Sequence, residues 1–148
     1  MAYKKILVGT DGSATAAEAI RHAARLAKAM GADLQLISAY SAPDPKQVSR
    51  WVQEAGQEFV GLITGTTAAE TAIERGQVTA KEEGVAAQAR FLEGDPGEVL
   101  ISAAETDDID LIIVGNKGMT GAKRFLLGSV PHKVSHHAPC DVLIVHTT

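Results

Sequence analysis

The sequence predicts an α/β fold, a doubly wound parallel sheet with helices on both faces. Three observations carry that prediction. Five short apolar stretches alternate with four stretches of helical periodicity. The strongest strand, Asp110-Leu-Ile-Ile-Val-Gly115, is apolar at every inner position, as a central strand buried on both faces must be. Glycine, proline and short polar residues punctuate the junctions between the stretches. The 148 residues are enough for one domain, expected to span 1–148.

Along the chain, Lys5–Gly9 is a β-branched run ended by Thr10-Asp11-Gly12-Ser13, which combines turn residues with candidate helix caps. Ala14–Met30 has Ala17, Ile20, Ala24, Ala27 and Met30 at helical spacing, with Gly31 as the stop. Leu34–Tyr40 reads as the second strand. Pro43 and Pro45 then bar regular structure and begin the longest irregular connection. Within 46–65, Val48, Trp51, Val52 and Ala55 have partial helical spacing that Gly56, Gly61 and Gly65 interrupt, so this stretch is expected to be a partly helical excursion. Thr66–Glu83 is a clearer helix, with Ala69, Ala72, Ile73 and Ala80 inward and Gly84 at its end. Val85–Leu92 is the third strand. Asp95 and Pro96 supply an N-cap and a first helical residue for the next helix, whose inner side is Val99, Leu100, Ala103 and Ala104. Ser129–His137 is a short helix, and Asp141–His146 is the last strand.

Composition bounds the function. Hydrophobic residues make up 45% and charged ones 22%, the balance of a soluble globular chain rather than a disordered one. One cysteine excludes a disulfide framework and a multi-cysteine zinc site. No apolar run approaches the roughly 20 residues of a membrane span, and no leader-like segment opens the chain, so a cytoplasmic protein is expected. A net charge of −4 argues against general nucleic-acid binding. Yet Gly115–Cys140 holds four cations (Lys117, Lys123, Arg124, Lys133) and no carboxylate, which makes it the place to seek a small-anion site.

Ligands of doubly wound sheets bind beyond the carboxyl ends of the strands, where the winding reverses. The loops after strand one and strand four are therefore the candidates. Glycines at 115, 118, 121 and 128 let a ligand approach main-chain amides, and Gly128-Ser129 opens a helix whose free N–H groups and dipole favour an anion. Equally, these residues could be ordinary turn glycines with Ser129 as a plain helix cap. Neither G-x-x-x-x-G-K-[ST] nor a G-x-G-x-x-G after strand one occurs, which speaks against a P-loop hydrolase and a dinucleotide dehydrogenase.

The spacing Gly115-x2-Gly118-x9-Gly128-Ser129 resembles the nucleotide-binding pattern of the universal stress protein family. The opening Ile6–Ser13 and the ending Gly128–Val130 through Cys140–Val145 resemble that family too, leaving only 43–65 unmatched. The resemblance implies a Rossmann-like sheet of the adenine nucleotide alpha hydrolase type, in strand order 3-2-1-4-5, and binding of ATP, sometimes with Mg²⁺ or Mn²⁺. Carried over by position, Asp11 would contact the nucleoside, and main-chain groups of Ala39 and Tyr40 the adenine edge. Val114 and Gly115 would line the ribose, and Gly118, Gly128, Ser129 and Val130 would hold phosphates. Thr10, Gly12, Asn116 and Met119 belong to the same implied site. The Gly-Ser-Val-Pro helix start and the ending at 142–148 are similar to an actinobacterial subset that binds cyclic AMP, which leaves ATP and cyclic AMP both open. The family likeness further implies a homodimer through the last strand, 142–146.

Other features are expected to be structural. His132 and His136 stand at i, i+4, a spacing that can ligate a metal, but no third ligand is near in sequence and solvated histidines are expected, with His132 in the first turn, where it could reach a terminal phosphate. Asp107, Asp108 and Asp110 read as a solvated turn at the amino end of strand four, Cys140 as a structural thiol, and Trp51 as packing beneath a long loop. Neither Ser13 nor Ser129 has a histidine placed to activate it, so no catalytic residue stands out. A slow ATPase or self-phosphorylating enzyme and a non-binding interaction module are the rival readings.

Overall fold

The computed structural model describes residues 2–41, 45–55, 66–116 and 127–147. Its strands are β1 (Lys5–Gly9), β2 (Asp33–Tyr40), β3 (Gln88–Glu93), β4 (Leu111–Gly115) and β5 (Asp141–Val145). The helices are α1 (Ala14–Met30), α2 (Pro45–Ala55), α3 (Thr66–Glu82), α4 (Pro96–Thr106) and α5 (Ser129–His137). All strand pairs are parallel, in the order β3-β2-β1-β4-β5. This is the doubly wound sheet that the alternation predicts.

Each face of the sheet has its own core. On one, Ile6, Val8, Leu34, Leu36, Leu111 and Ile113 meet the alanine-rich side of α1 and Ala80 of α3. On the other, Leu7, Ile37, Ile112 and Val114 meet Val99, Leu100, Ala103 and Ala104 of α4 and Val134 of α5. Alternate residues of one strand therefore enter different cores, which is why Ile6–Val8 of β1 and Leu111–Val114 of β4 are unbroken apolar runs. The path from β1 through β3 is covered on one side. The return from β3 to β4 crosses back over β2 and β1 with α4 on the other, as right-handed crossovers require.

Local chemistry explains most boundaries. Ser13 is the N-cap of α1, its Oγ accepting the Ala16 N–H at 3.2 Å, and Gly31 closes that helix in the left-handed region at φ 67°. Asp95 caps α4 through the Glu98 N–H, with Pro96 directly behind it.

Several expectations need correction. Pro45 does not bar regular structure; it opens α2, because a first-turn residue needs no intrahelical N–H. The described residues therefore hold five helices rather than four. Of the excursion only α2 lies within the described residues, and the Trp51 side chain and 56–65 lie outside them. The third strand begins at Gln88, not Val85. In α1 the buried stripe is Ala19, Ile20, Ala23, Ala24 and Ala27, while Ala17 and Met30 are only half-buried. Among the described residues no helix is long and apolar enough to cross a membrane.

The acidic cluster before β4 is also more than a solvated turn. Asp110 accepts the Lys4 and Lys5 amides at 2.9 and 3.1 Å, tying the start of β1 to the start of β4. Asp107 pairs with Arg90 of β3. Lys4 is 106 positions from Asp110 and Arg90 is 17 from Asp107, both beyond the reach of local periodicity.

Candidate functional site

The winding reverses between β1 and β4, and there the two strands part. Their register runs Ile6↔Leu111, Leu7↔Ile112, Val8↔Ile113 and stops. Beyond it the Thr10 N–H turns to the Ile37 carbonyl of β2 at 2.9 Å, whereas the Asn116 N–H turns to the Val145 carbonyl of β5 at 2.9 Å. Two neighbouring strands whose N–H groups donate to opposite sides leave a crevice at their carboxyl ends.

One wall is the loop after β1. Thr10 is buried, and its Oγ1 accepts the Gly12 N–H at 3.1 Å. Asp11 is exposed, and one carboxylate oxygen accepts the Ser13 N–H at 2.9 Å, a local turn that leaves the other oxygen for solvent or ligand. Gly12 has φ +81°, and a Cβ there would stand 3.2 Å from the Cβ of Ala72 in α3. Both backbone conformation and space thus demand glycine. An open groove of about 440 Å³ between the start of α1 and α3, lined by Ala17, Glu74 and Val78 among others, shares only Gly12 and Ser13 with this wall.

The opposite wall is built from β4 and α5. Val114 is buried in the α4-side core, and Gly115 ends the strand. Gly128, not Ser129, is the N-cap of α5, with φ −60° and ψ 162° and no side-chain capping bond. Its N–H donates to the Asn116 carbonyl at 3.0 Å, and its carbonyl accepts from His132 at 3.0 Å. Pro131 has no N–H to offer. The amides left at this helix start are those of Ser129 and Val130, with the Ser129 hydroxyl beside them. They stand at the positive end of the α5 dipole.

The floor comes from β2. Ile37 aims its carbonyl at β1, and strand alternation aims the main-chain groups of Ala39 to the same side, past the last residue of β1. The Tyr40 carbonyl faces the other way and accepts the Gly94 N–H at 2.8 Å. The Tyr40 ring lies 5.9 Å from that of Phe91, centre to centre.

Thr10, Asp11, Gly12, Ala39, Val114, Gly115, Asn116, Gly128, Ser129 and Val130 therefore surround one end of the sheet. Gly118 and Met119, with Lys117, Lys123 and Arg124, lie outside the described residues. The remaining cation of the carboxylate-free stretch is already engaged. Lys133 Nζ lies 3.0 Å from Asp95 and 3.6 Å from Glu98, both at the start of α4. This pairing raises the Lys133 ammonium above its ordinary range and, with the Glu98 amide, holds the Asp95 carboxyl below its own. Sequence spacing could not show it, because the partners are 38 positions apart.

A second feature is invisible to sequence spacing. Asn116 Oδ1 accepts both the N–H and the hydroxyl of Thr147, each at 2.9 Å, so the segment after β5 is clasped to the segment after β4. The only signal was the presence of Thr147 in the chain ending that resembles the family. Cys140 is half-buried, and desolvation, followed by the neighbouring Asp141 carboxylate, pushes its thiol up, as expected of a structural cysteine.

A parallel doubly wound sheet with an amide-bearing helix start at its switch point defines the class of α/β proteins that take ligands in a strand-end crevice. The sequence pattern of the universal stress protein family matches residues 2–146, and the chain belongs to that family. It is 37% identical over 148 residues to universal stress protein Rv1636 of Mycobacterium tuberculosis, covering 99% of both chains. It is 34% identical over 152 residues to universal stress protein MJ0531 of Methanocaldococcus jannaschii, covering 97% of this chain and 82% of the relative. Among solved structures, a universal stress protein in complex with cAMP superposes with a TM-score of 0.72 at 30% identity, over 100% of both chains.

Proposed function

We propose that this protein binds an adenine nucleotide in the crevice between β1 and β4, as a sensor or regulator rather than a catalyst. One observation carries the reading. The amides of Ser129 and Val130 stand without an intrahelical partner at the start of α5, beside the point where β1 and β4 part. A phosphate there would accept both N–H groups and the Ser129 hydroxyl. Ala39 would offer main-chain groups to the adenine edge, and the free oxygen of Asp11 would accept a ribose hydroxyl. With ATP, the same oxygen suits Mg²⁺ or Mn²⁺, which prefer hard oxygen donors. The cAMP complex of the 30% identical relative supports an adenine nucleotide here.

Two amides and one hydroxyl can serve one phosphate group, the number that cyclic AMP carries, and the choice between it and ATP is left to measurement. Tag-free protein is first denatured and the released material weighed by mass spectrometry; ATP and cyclic AMP are then titrated into nucleotide-free protein by calorimetry. Micromolar binding of either nucleotide is the expected result. Binding of neither, by folded protein, overturns the reading.

We infer as well that two copies pair through β5. That strand is the sheet edge, and Leu143 and Ile144 are 42% and 38% exposed on it, an apolar edge that a monomer would leave open. Light scattering of Leu143→Lys against wild type tests it: the wild type is expected at twice the chain mass and the variant at once. Equal masses for the two proteins would refute pairing through this edge.

A further inference from the structure

We propose that His132 and His136 form a two-histidine chelate site on the outer face of α5 for a divalent first-row transition ion, Cu²⁺ above all. Both side chains are exposed. At about 100° per residue they lie about 40° apart on the helix, each about 160° from the fully buried Val134. They therefore share the outermost line of α5, and among the described residues no hydrogen bond or ion pair engages either side chain.

The ring spacing suits a chelate. The two imidazole centres are 4.6 Å apart with 45° between their planes. A metal about 2.0 Å from an imidazole nitrogen lies about 3.2 Å from the ring centre, so two cis ligands at about 90° place the centres about 4.5 Å apart. The ring-centre separation therefore matches that of two cis imidazoles on one ion. A cis pair of nitrogens with the other positions left to water is a tetragonal N,O set, which suits Cu²⁺ and then Ni²⁺. It is a poor match for structural zinc, which wants four protein ligands. Among the described residues no group of three or more His, Cys, Asp or Glu is gathered to hold a metal, so this site is open and relies on two donors. His137 is no third donor. It stands about 100° round the helix from His136, with ring centres 6.2 Å apart. The site is independent of the nucleotide reading, since neither ring is among the groups assigned to the crevice.

The test uses the full chain without a histidine tag. Cu²⁺ is titrated against a weak competing chelator, and the bound ion is examined by electron paramagnetic resonance. The expected result is one Cu²⁺ per chain with two imidazole nitrogens in its equatorial plane, and weaker Ni²⁺ binding. His132→Ala and His136→Ala, checked by thermal melting, should each weaken Cu²⁺ by at least about tenfold, because losing one arm of a chelate loses its effective concentration. His137→Ala should leave the affinity unchanged. Wild-type affinity in either of the first two variants, a single-nitrogen spectrum, or an equal loss in His137→Ala would overturn the proposal.

Discussion

Replacing Ser129 with proline would remove two of the three donors at the start of α5, the amide and the hydroxyl, while leaving the helix intact. The structure says why the helix survives. Ser129 is the first helical residue, where proline is favoured and no intrahelical N–H bond exists to lose. Gly128 before it already has φ −60° and ψ 162°, within the region that a following proline imposes. The bond from His132 to the Gly128 carbonyl is untouched. Each hydrogen bond to a charged phosphate is worth about 1.5–3 kcal/mol. Losing two would cost about 3–6 kcal/mol if they added, but neighbours in one site do not add fully, so a loss of at least about 100-fold in affinity is expected. Ser129→Ala keeps the amide and should lose roughly tenfold or somewhat more. Calorimetry with whichever of ATP and cyclic AMP binds more tightly measures both, beside a thermal melt of each variant. A Ser129→Pro protein that melts like wild type and binds within about threefold of it would refute the amide cradle.

The fold carries further expected outcomes. Gly76→Ala in α3 would place a Cβ 2.9 Å from Leu36 Cδ1 and 3.1 Å from Ile20 Cδ1, both in a fully packed core. Overpacking of about 1–3 kcal/mol should outweigh the roughly 1 kcal/mol gained in helix propensity, so urea unfolding should show a net loss of stability. Asn116→Ala removes the acceptor of both Thr147 bonds and should cost about 1–3 kcal/mol, with faster hydrogen exchange at the Thr147 amide. Asp95→Asn keeps the helix cap but loses the pair with Lys133. Because the folded carboxyl titrates below its unfolded value, the pair's contribution is present above the ordinary aspartate range. It is lost as pH falls through the lowered folded value, so the gap in melting temperature between wild type and variant should close in acid. High salt at neutral pH should shrink the same gap, since the pair is exposed.

How much of this was legible in the sequence depends on the range of the interaction that decided it. Ser13, Gly31, Asp95 and Pro96 act within one helical turn, so their identity alone marks where α1 and α4 begin or end. The run at 110–115 announces a strand buried on both faces because Leu111, Ile112, Ile113 and Val114 each enter one of two cores. Pro45 misled, since proline either bars a helix or starts one, and the choice rests on the residues C-terminal to it. The candidate site divides the same way. Its glycines and its helix start were visible as a pattern, but which amides remain unused was not.

That last question belongs to the tertiary structure, because an amide is free only if no distant carbonyl claims it. Asn116 claims the Gly128 N–H, and Asp95 claims the one cation of the anion-seeking stretch that the described residues contain. Thr147 and Asn116 find each other across 31 positions, and the 4.6 Å between the ring centres of His132 and His136 is likewise set by the folded chain. Alternation, caps and apolar faces are local consequences of backbone sterics and solvent, so the residues alone determined the fold class and the strand count. The partnerships that decide which of those polar groups stay open depend on the packed chain, and no one-dimensional spacing carries that information.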